Sequence, residues 1–435
     1  MAKFLASAGA ADYQSERGSS MEARSDMTRR RVVVTGMGLT SPLGDTAAQV
    51  SEALQTQRHG IAHMAQWAEI PGLNTRLAAP ALTVDLTTLP RKKTRTMGRV
   101  SMLSAFATEQ AISDAGLDET AVSSRRTGLA YGSTHGSTSE LESFCRTLFG
   151  PRGIAALSGT AYLKFMSHTC AANLALAYGI RGRVVPTVSA CASGSQAIGV
   201  GFETIRANLA DVMLCGGAEE LHSLHAAIFD IMYATSTRYN DSPDASPRPF
   251  DKERDGLVIG EGAATLVLEE YEHAKRRGAT IYGEVLGFGM NCDGQHVTSP
   301  SADGMAEAMR LALADAQLDK SSVQYVNAHG TATELGDIAE SEATFSVLGE
   351  KVPFSSTKGY TAHTLGACGA LESIFCFMAM RDGFLPSNRN LVQVDEQCAP
   401  LNYLRGDTRR ADFSVAMNNN FAFGGINTSL LLGRL

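Results

Sequence analysis

Apolar positions along the chain follow two alternating periods. Short aliphatic or β-branched runs bounded by glycine and polar residues predict buried strands. In the first part these are Val32–Thr35, Gly128–Gly132, Val184–Ser189, Val212–Leu214 and Ala264–Leu268. In the second part they are Ile281–Phe288, Val323–Asn327, Val352–Ser355 and Phe413–Met417. Helical spacing predicts helices over Ala47–Leu54, Met102–Ala115, Cys191–Ala207, Met305–Ala316, Asp337–Leu348 and Gly369–Arg381. Near-continuous apolar strands need cover on both faces, so the pattern predicts α/β layers. Strand–helix–strand order comes twice without a clean sequence repeat, which suggests two related halves, 29–280 and 281–435. Residues 1–28 are rich in Ala, Ser, Gly and charge and lack periodicity, so they read as a disordered tail. The Gly-, Ser- and Thr-punctuated stretch 133–180 and the Pro-rich stretch 236–254 read as irregular.

Composition narrows the class. The 435 residues are 44% hydrophobic and 19% charged, with net charge −7. That is globular composition, and the acidic balance argues against nucleic acid as a partner. The eight cysteines are scattered, with no CxxC pair and no zinc-type spacing. They read mostly as buried free thiols of a reducing, cytoplasmic compartment. No apolar run approaches 18 residues and no signal-type apolar stretch opens the chain, so no membrane association is expected.

Three residues carry candidate chemistry. Cys191 lies where a strand turns into a helix, among Ala190, Ala192, Ser193 and Gly194. Free N–H groups and the helix dipole there favour a thiolate. The local pattern leaves two readings open, a nucleophile and a buried structural thiol. His329 follows a strand in Asn327-Ala-His-Gly-Thr331, and His363 follows another in Lys358-Gly-Tyr-Thr-Ala-His-Thr-Leu-Gly366. Strand C-terminal ends are where α/β active sites assemble. A thiol that accepts an acyl group, with two imidazoles to hold enolate charge on a second thioester, suits carbon–carbon bond formation without a metal or redox cofactor.

These segments together resemble the β-ketoacyl synthase family of the thiolase-like superfamily, nearest its elongating synthase II branch. The resemblance runs from Arg30 to the C-terminus. It rests on Val34-Thr-Gly-Met-Gly38 with Ser41-Pro-Leu-Gly44, Ala190-Cys-Ala-Ser-Gly194, Gly216-Gly-Ala-Glu219, Arg248-Pro-Phe-Asp251 with Arg254-Asp-Gly256, and Gly260-Glu-Gly-Ala263. It continues in Asn327-Ala-His-Gly-Thr331 with Asp337 and Glu340, Ser356-Thr-Lys358, His363 with Glu372, and Asn419-Asn-Phe-Ala-Phe423-Gly-Gly425. The resemblance implies a five-layer αβαβα fold built from duplicated halves, and a decarboxylative condensation of an acyl group on Cys191 with malonyl-acyl carrier protein in fatty-acid elongation. It implies that His329 and His363 bind the malonyl carbonyl, that Lys358 organises them, and that Glu372, Asp337 and Glu340 support the site. Phe423 would gate entry and complete an oxyanion hole with the N–H of Cys191. Thr331, Thr333, His296 and Phe421 would contact the substrate arm. Partners implied are acyl carrier protein and a second subunit, identical or not, and no cofactor.

Departures from the family pattern matter. Ala362 and Ala422 stand where the family usually has glycine. Gly132-Ser-Thr-His135-Gly136 replaces a Gly-rich, apolar acyl-pocket segment. His135 then either lines that pocket, restricting chain length or suiting a polar, unsaturated or aryl primer, or faces a subunit interface. A ketosynthase of a specialised polyketide or aryl-polyene-type pathway, paired with a chain-length-factor-like subunit, is the alternative reading. A non-catalytic partner is disfavoured because nucleophile, histidines and lysine are all present. A thiolase is disfavoured because Asn418–Gly425 holds no second cysteine. The dinucleotide pattern begun by Gly36-Met-Gly38 fails at Ser41. The run Arg91-Lys-Lys-Thr-Arg95 is either a solvated face or a carrier-protein docking patch.

Overall fold

Ten strands in two sets of five carry the architecture. The computed structural model describes residues 29–435, so the expected tail over 1–28 lies outside the described residues. The first set is β1 (Val32–Thr40), β2 (Thr127–Gly132), β3 (Val184–Pro186), β4 (Val212–Glu219) and β5 (Gly262–Glu270). The second is β6 (Gly283–Cys292), β7 (Tyr325–Asn327), β8 (Pro353–Ser355), β9 (Val415–Ala422) and β10 (Ile426–Gly433). Their spatial orders are β3-β2-β4-β5-β1 and β8-β7-β9-β10-β6, the second carrying the short edge strand Asn402–Tyr403 beside β8. In each set three parallel strands are followed by two antiparallel pairings. The same order recurs at the same chain positions, so the second half repeats the first. β1 and β6 join the sets antiparallel, with Val32–Val34 opposite Gly283–Val285.

Helices complete five layers. Outer helices α1 (Arg99–Asp114) and α3 (Thr169–Tyr178) cover the first set. The insertion helix α2 (Thr138–Leu148) lies between them in sequence. The middle layer is α4 (Ser193–Arg206) and α8 (Cys368–Asp382), each touching strands of both sets. Helix α5 (Ser223–Asp230) follows β4. Helices α6 (Ala302–Ala316) and α7 (Glu334–Leu348) cover the second set. Helix α8 is buried at every position from Cys368 to Met380, as an all-round apolar helix must be. The first turns of α4 and α8 meet closely. A Cβ on Gly194 would lie 2.9 Å from the Ala370 nitrogen, and one on Gly369 would lie 2.6 Å from the Ser195 nitrogen. The residues that open both helices are therefore brought together.

Three elements differ from expectation. β1 runs on to Thr40 through a bulge at Val34/Gly36. Gly36 and Gly38 extend the strand because α1 packs on them; a Cβ at either would fall within 2.4 Å of an α1 carbonyl oxygen. The stretch 133–180 holds α2, α3 and the short helix Ala161–Phe165, whose polar faces blur the helical period. The last strand, expected over Phe413–Met417, is the hairpin β9–β10. Asn418, Asn419 and Asn420 hide it, because asparagine is a poor strand former in solution. Here these residues are buried, and Asn418 Nδ2 donates to Gly369 O at 3.1 Å.

Candidate active site

After β3 the chain enters a tight turn at Ala190–Ala192, with Ala190 at φ +48, and α4 starts at Ser193, two residues later than expected. Ser193 Oγ fixes this turn by accepting from Ser189 N at 3.0 Å and donating to Ala190 O at 2.7 Å. Cys191 is thereby presented, buried, at the mouth of the helix. Its Sγ lies 2.9 Å from His363 Nε2. The thiolate favoured by the helix dipole is not the resting form. Burial pushes the thiol up to about 12, and the opposing pull of the Lys358 charge is smaller. The Cys368 thiol donates to the Cys191 carbonyl at 3.3 Å.

His329 follows β7. Glu340 of α7 accepts the N–H groups of His329 and Gly330 at 2.7 and 2.6 Å, which fixes the loop. Asp337 accepts the N–H groups of Phe250 at 2.6 Å and Ala332 at 3.1 Å, and lies 3.7 Å from Arg254. Burial raises the Glu340 carboxyl to about 8 and that of Asp337 to about 6.

His363 follows β8 through Ala362, which sits at φ +57, ψ −172. The chain is pinned there by a two-residue bridge: His363 N donates to Val258 O, and Gly260 N to His363 O, both at 2.8 Å. Beneath it Lys358 pairs with Glu372 at 2.5 Å, and Asn420 donates to the other Glu372 oxygen at 2.7 Å. The imidazoles of His329 and His363 stand 5.1 Å apart at 89°. Burial first, and the Lys358 charge second, hold both well below the usual histidine range, so both are neutral. Each leaves Nδ1 buried without a protein partner.

The sulfur and one nitrogen of each imidazole lie within 4.8 Å of one another, a donor set that a soft cation could use. Yet a tetrahedral zinc shared by sulfur and nitrogen would hold them about 3.5 Å apart. The 2.9 Å contact is instead that of a hydrogen-bonded thiol and imidazole. The nearby Lys358 charge also opposes a dication.

A cavity of about 590 Å³ opens above the trio, lined also by Thr331, Thr333, Phe421, Phe423, Val297 and Phe229. The Thr331 and Thr333 hydroxyls are 3.0 Å apart, and the Phe421 ring lies 6.1 Å from that of His329. Phe423 occupies the tight β9–β10 turn, half-exposed, 5.5 Å from the Phe229 ring. Gly424 N donates to Val297 O at 2.8 Å, which ties this turn to the 293–300 loop. Two expected substrate contacts are not on the cavity wall. His296 points to solvent, and its Nδ1 accepts from Thr298 and Ser299 N, so it shapes the rim instead. His135 is drawn away into a cluster with Thr138 and His225. The run Arg91–Arg95 is also absent from the cavity wall, with Lys93 over the Tyr178 ring at 4.5 Å.

Sequence reasoning passed over Cys368, His225 and Asn420. It also gave no role to Glu219, whose carboxylate accepts from Thr134 N and Gly366 N at 2.8 and 3.2 Å and so ties the His135 loop to the His363 loop. A carboxylate ending the fully buried β4 was the signal for it.

The chain matches the models for the β-ketoacyl synthase N-terminal domain over residues 29–274 and C-terminal domain over 282–392. It is 37% identical over 406 residues to 3-oxoacyl-[acyl-carrier-protein] synthase 1 of Haemophilus influenzae, covering 93% of this chain and 99% of that protein. A β-ketoacyl synthase from Burkholderia phymatum STM815 superposes with TM-score 0.90 at 51% identity, over 93% of this chain and 100% of that one. The ishigamide ketosynthase/chain length factor superposes with TM-score 0.87 at 31% identity, over 94% and 100%. The chain belongs to the β-ketoacyl synthase family.

Proposed function

We propose that the protein condenses an acyl group carried on Cys191 with a malonyl unit, both delivered by acyl carrier protein, to give β-ketoacyl-carrier protein. The observation that carries this is the Cys191–His363 contact of 2.9 Å with a second neutral imidazole beside it, at the floor of a deep cavity. In the first half-reaction Cys191 Sγ attacks the acyl thioester, and His363 Nε2 takes the thiol proton and returns it to the departing carrier thiol. Because burial opposes a free thiolate, proton removal accompanies attack. In the second, malonyl loses CO2, and its electron pair becomes an enolate whose oxygen is held by His329 and His363. The enolate carbon attacks the acyl carbonyl, the C–S bond to Cys191 breaks, and the thiolate regains a proton from solvent. Backbone N–H groups of Cys191 and Phe423 hold the tetrahedral oxyanion. Neutral imidazoles suit this work, since they donate without needing to be charged first.

Thr331, Thr333 and Phe421 fit the carrier's thioester arm along the cavity wall, and residues 29–280 and 281–435 are its two working halves. β3 ends the sheet, and Val184, Val188 and Leu176 near it are exposed. That unpaired edge suits a second subunit. The free cysteines fit a reducing cytoplasm, and no helix among the described residues is long and apolar enough to cross a membrane. Primary fatty-acid elongation is the first reading. The ketosynthase/chain length factor neighbour favours a specialised pathway as the second.

Incubation with acyl- and malonyl-carrier protein, read by intact mass, tests the reading. A Cys191 acyl adduct and a two-carbon-longer ketoacyl product are expected, and Cys191→Ala abolishes both. Full turnover by Cys191→Ala would overturn it.

A further inference from the structure

The polar cluster beside the nucleophile is unused by this chemistry. His135 Nε2 and His225 Nε2 are 3.3 Å apart, with rings edge to face at 4.8 Å. The Thr138 hydroxyl lies 3.2 Å from the first and 2.8 Å from the second. His225 is 1% exposed, and its Nδ1 has no partner. Burial brings its pKa down to about 3, so it is neutral. A buried polar atom left unpaired is costly and uncommon, so this nitrogen is open to a partner from outside the protein.

Position suggests what that partner is. His225 and Phe229 are four residues apart on α5 and so share a face. Phe229 lines the cavity that contains Cys191, and Phe229 and Ala226 pack in one apolar cluster with Cys191 and Leu365. The histidine pair therefore sits about one helical turn, roughly 6 Å along α5, beyond the cavity wall. The loop that carries His135 is held against the catalytic loops. A Cβ on Gly366 would lie 2.8 Å from Thr134 N, and Ser193 Oγ reaches Ser133 O at 3.4 Å. An acyl group leaving Sγ along α5 would run over apolar side chains and then meet two imidazoles.

We propose that His135 and His225 form a polar terminus for the acyl group on Cys191, selecting primers that carry a hydrogen-bonding group, such as a hydroxyl or hydroxyaryl, at the distal end. This rests on the condensing reading above and names its substrate class. An alkyl end placed there would leave the buried His225 nitrogen without a hydrogen bond, whereas a hydroxyl supplies one.

The test is Cys191 acylation by butanoyl-, hexanoyl- and octanoyl-carrier protein, each beside its ω-hydroxy counterpart, followed by intact mass. At the length that reaches the pair, the ω-hydroxyacyl chain should load about tenfold faster, the worth of one net hydrogen bond. His135→Leu/His225→Leu should erase or invert that ratio. His135→Asn, which keeps a polar side chain, should retain part of it and stands in if the double variant does not fold. Equal loading of alkyl and hydroxyalkyl chains at every length would overturn the proposal while leaving the condensing reading intact. So would a wild-type ratio in the double variant or no change of ratio across these variants. No Cys191 adduct from any primer would overturn the condensing reading, and this proposal with it.

Discussion

The two halves share a strand plan but put different chemistry at the same places. After the second strand the first half carries His135 and the second carries His329. After the third strand come Cys191 and His363, each just ahead of a central helix. The fourth strand ends in Glu219 in one half and leads into the Phe423 turn in the other. The first half thus supplies Cys191, the nucleophile of the proposed reaction, and an apolar wall. The second supplies both imidazoles and the one buried ammonium among the described residues, Lys358, with its carboxylate Glu372. Duplication delivers two loops to one point; in the proposed reaction, divergence of a few side chains makes one loop attack and the other hold charge. Each half also stores buried carboxylates under its loops: Lys358 answers Glu372, whereas Glu219 and Glu340 are held by backbone N–H groups.

That difference can be broken first at Lys358. Lys358→Met leaves Glu372 buried beside Asn420 with its cation gone, and unfolding stability should fall by about 3–5 kcal/mol. Replacing both partners, Lys358→Met/Glu372→Met, should recover most of that loss while condensation stays abolished. Urea unfolding of the three proteins decides it; a single variant as stable as wild type would mean that the pair contributes nothing.

In the first half no cation answers Glu219. Its carboxyl rises from an ordinary 4.5 to about 7 because burial disfavours the charged form. The unfolded chain gives up this proton more readily than the folded one. Stability from this group is therefore complete below pH 4.5 and is lost as pH climbs through about 7. The loss is about 3 kcal/mol over that window. Glu219→Gln keeps an acceptor for Thr134 and Gly366 N and should flatten this slope. Denaturation midpoints from pH 4.5 to 8 measure it, and parallel curves for wild type and variant would exclude the effect.

Much of this was legible in the sequence, and the gaps have physical causes. Gly-bounded aliphatic runs located nine of the ten strands, because strands buried on both faces must be apolar. The β9–β10 hairpin was obscured since Asn418–Asn420 are buried for their hydrogen bonds, not their propensity. Cys191, His329 and His363 could be proposed from strand-end positions, but their meeting depends on the close approach of Gly194 and Gly369, which only the fold displays. The thiol's protonation was misjudged because helix dipoles are visible in a sequence pattern and burial is not. His225 escaped because a histidine at helical spacing looks like any packed residue until His135 arrives from another loop.

Cys368 is a smaller asymmetry. At the start of α8 its thiol holds the carbonyl of Cys191, and the Asn420 amide lies 3.6 Å away. Cys368→Ala removes one weak hydrogen bond and a buried sulfur, a loss of about 1 kcal/mol in stability. If the contact orients the nucleophile, acylation of Cys191 should slow about two- to fivefold, by analogy with a fractional hydrogen bond, while malonyl decarboxylation is unchanged. Equal slowing of both steps would make the role merely structural.

The smallest effect expected is at Ala362, and its sign depends on three opposing terms. A non-glycine residue at φ +57, ψ −172 costs about 1–3 kcal/mol. Glycine would relieve that strain. It would also give up a methyl group packed with Ile61, Leu77, Ala79 and Val258, worth about 0.8 kcal/mol. Its freer unfolded chain costs about 0.5–1 kcal/mol more. Ala362→Gly should therefore change stability by less than about 1 kcal/mol, because strain relief and these losses nearly cancel. The backbone before His363 would still gain freedom that only the Val258 and Gly260 hydrogen bonds oppose, so decarboxylation should slow while thermal unfolding barely moves. A stability loss above about 2 kcal/mol would show that the methyl packing, not the backbone strain, is what matters beneath His363.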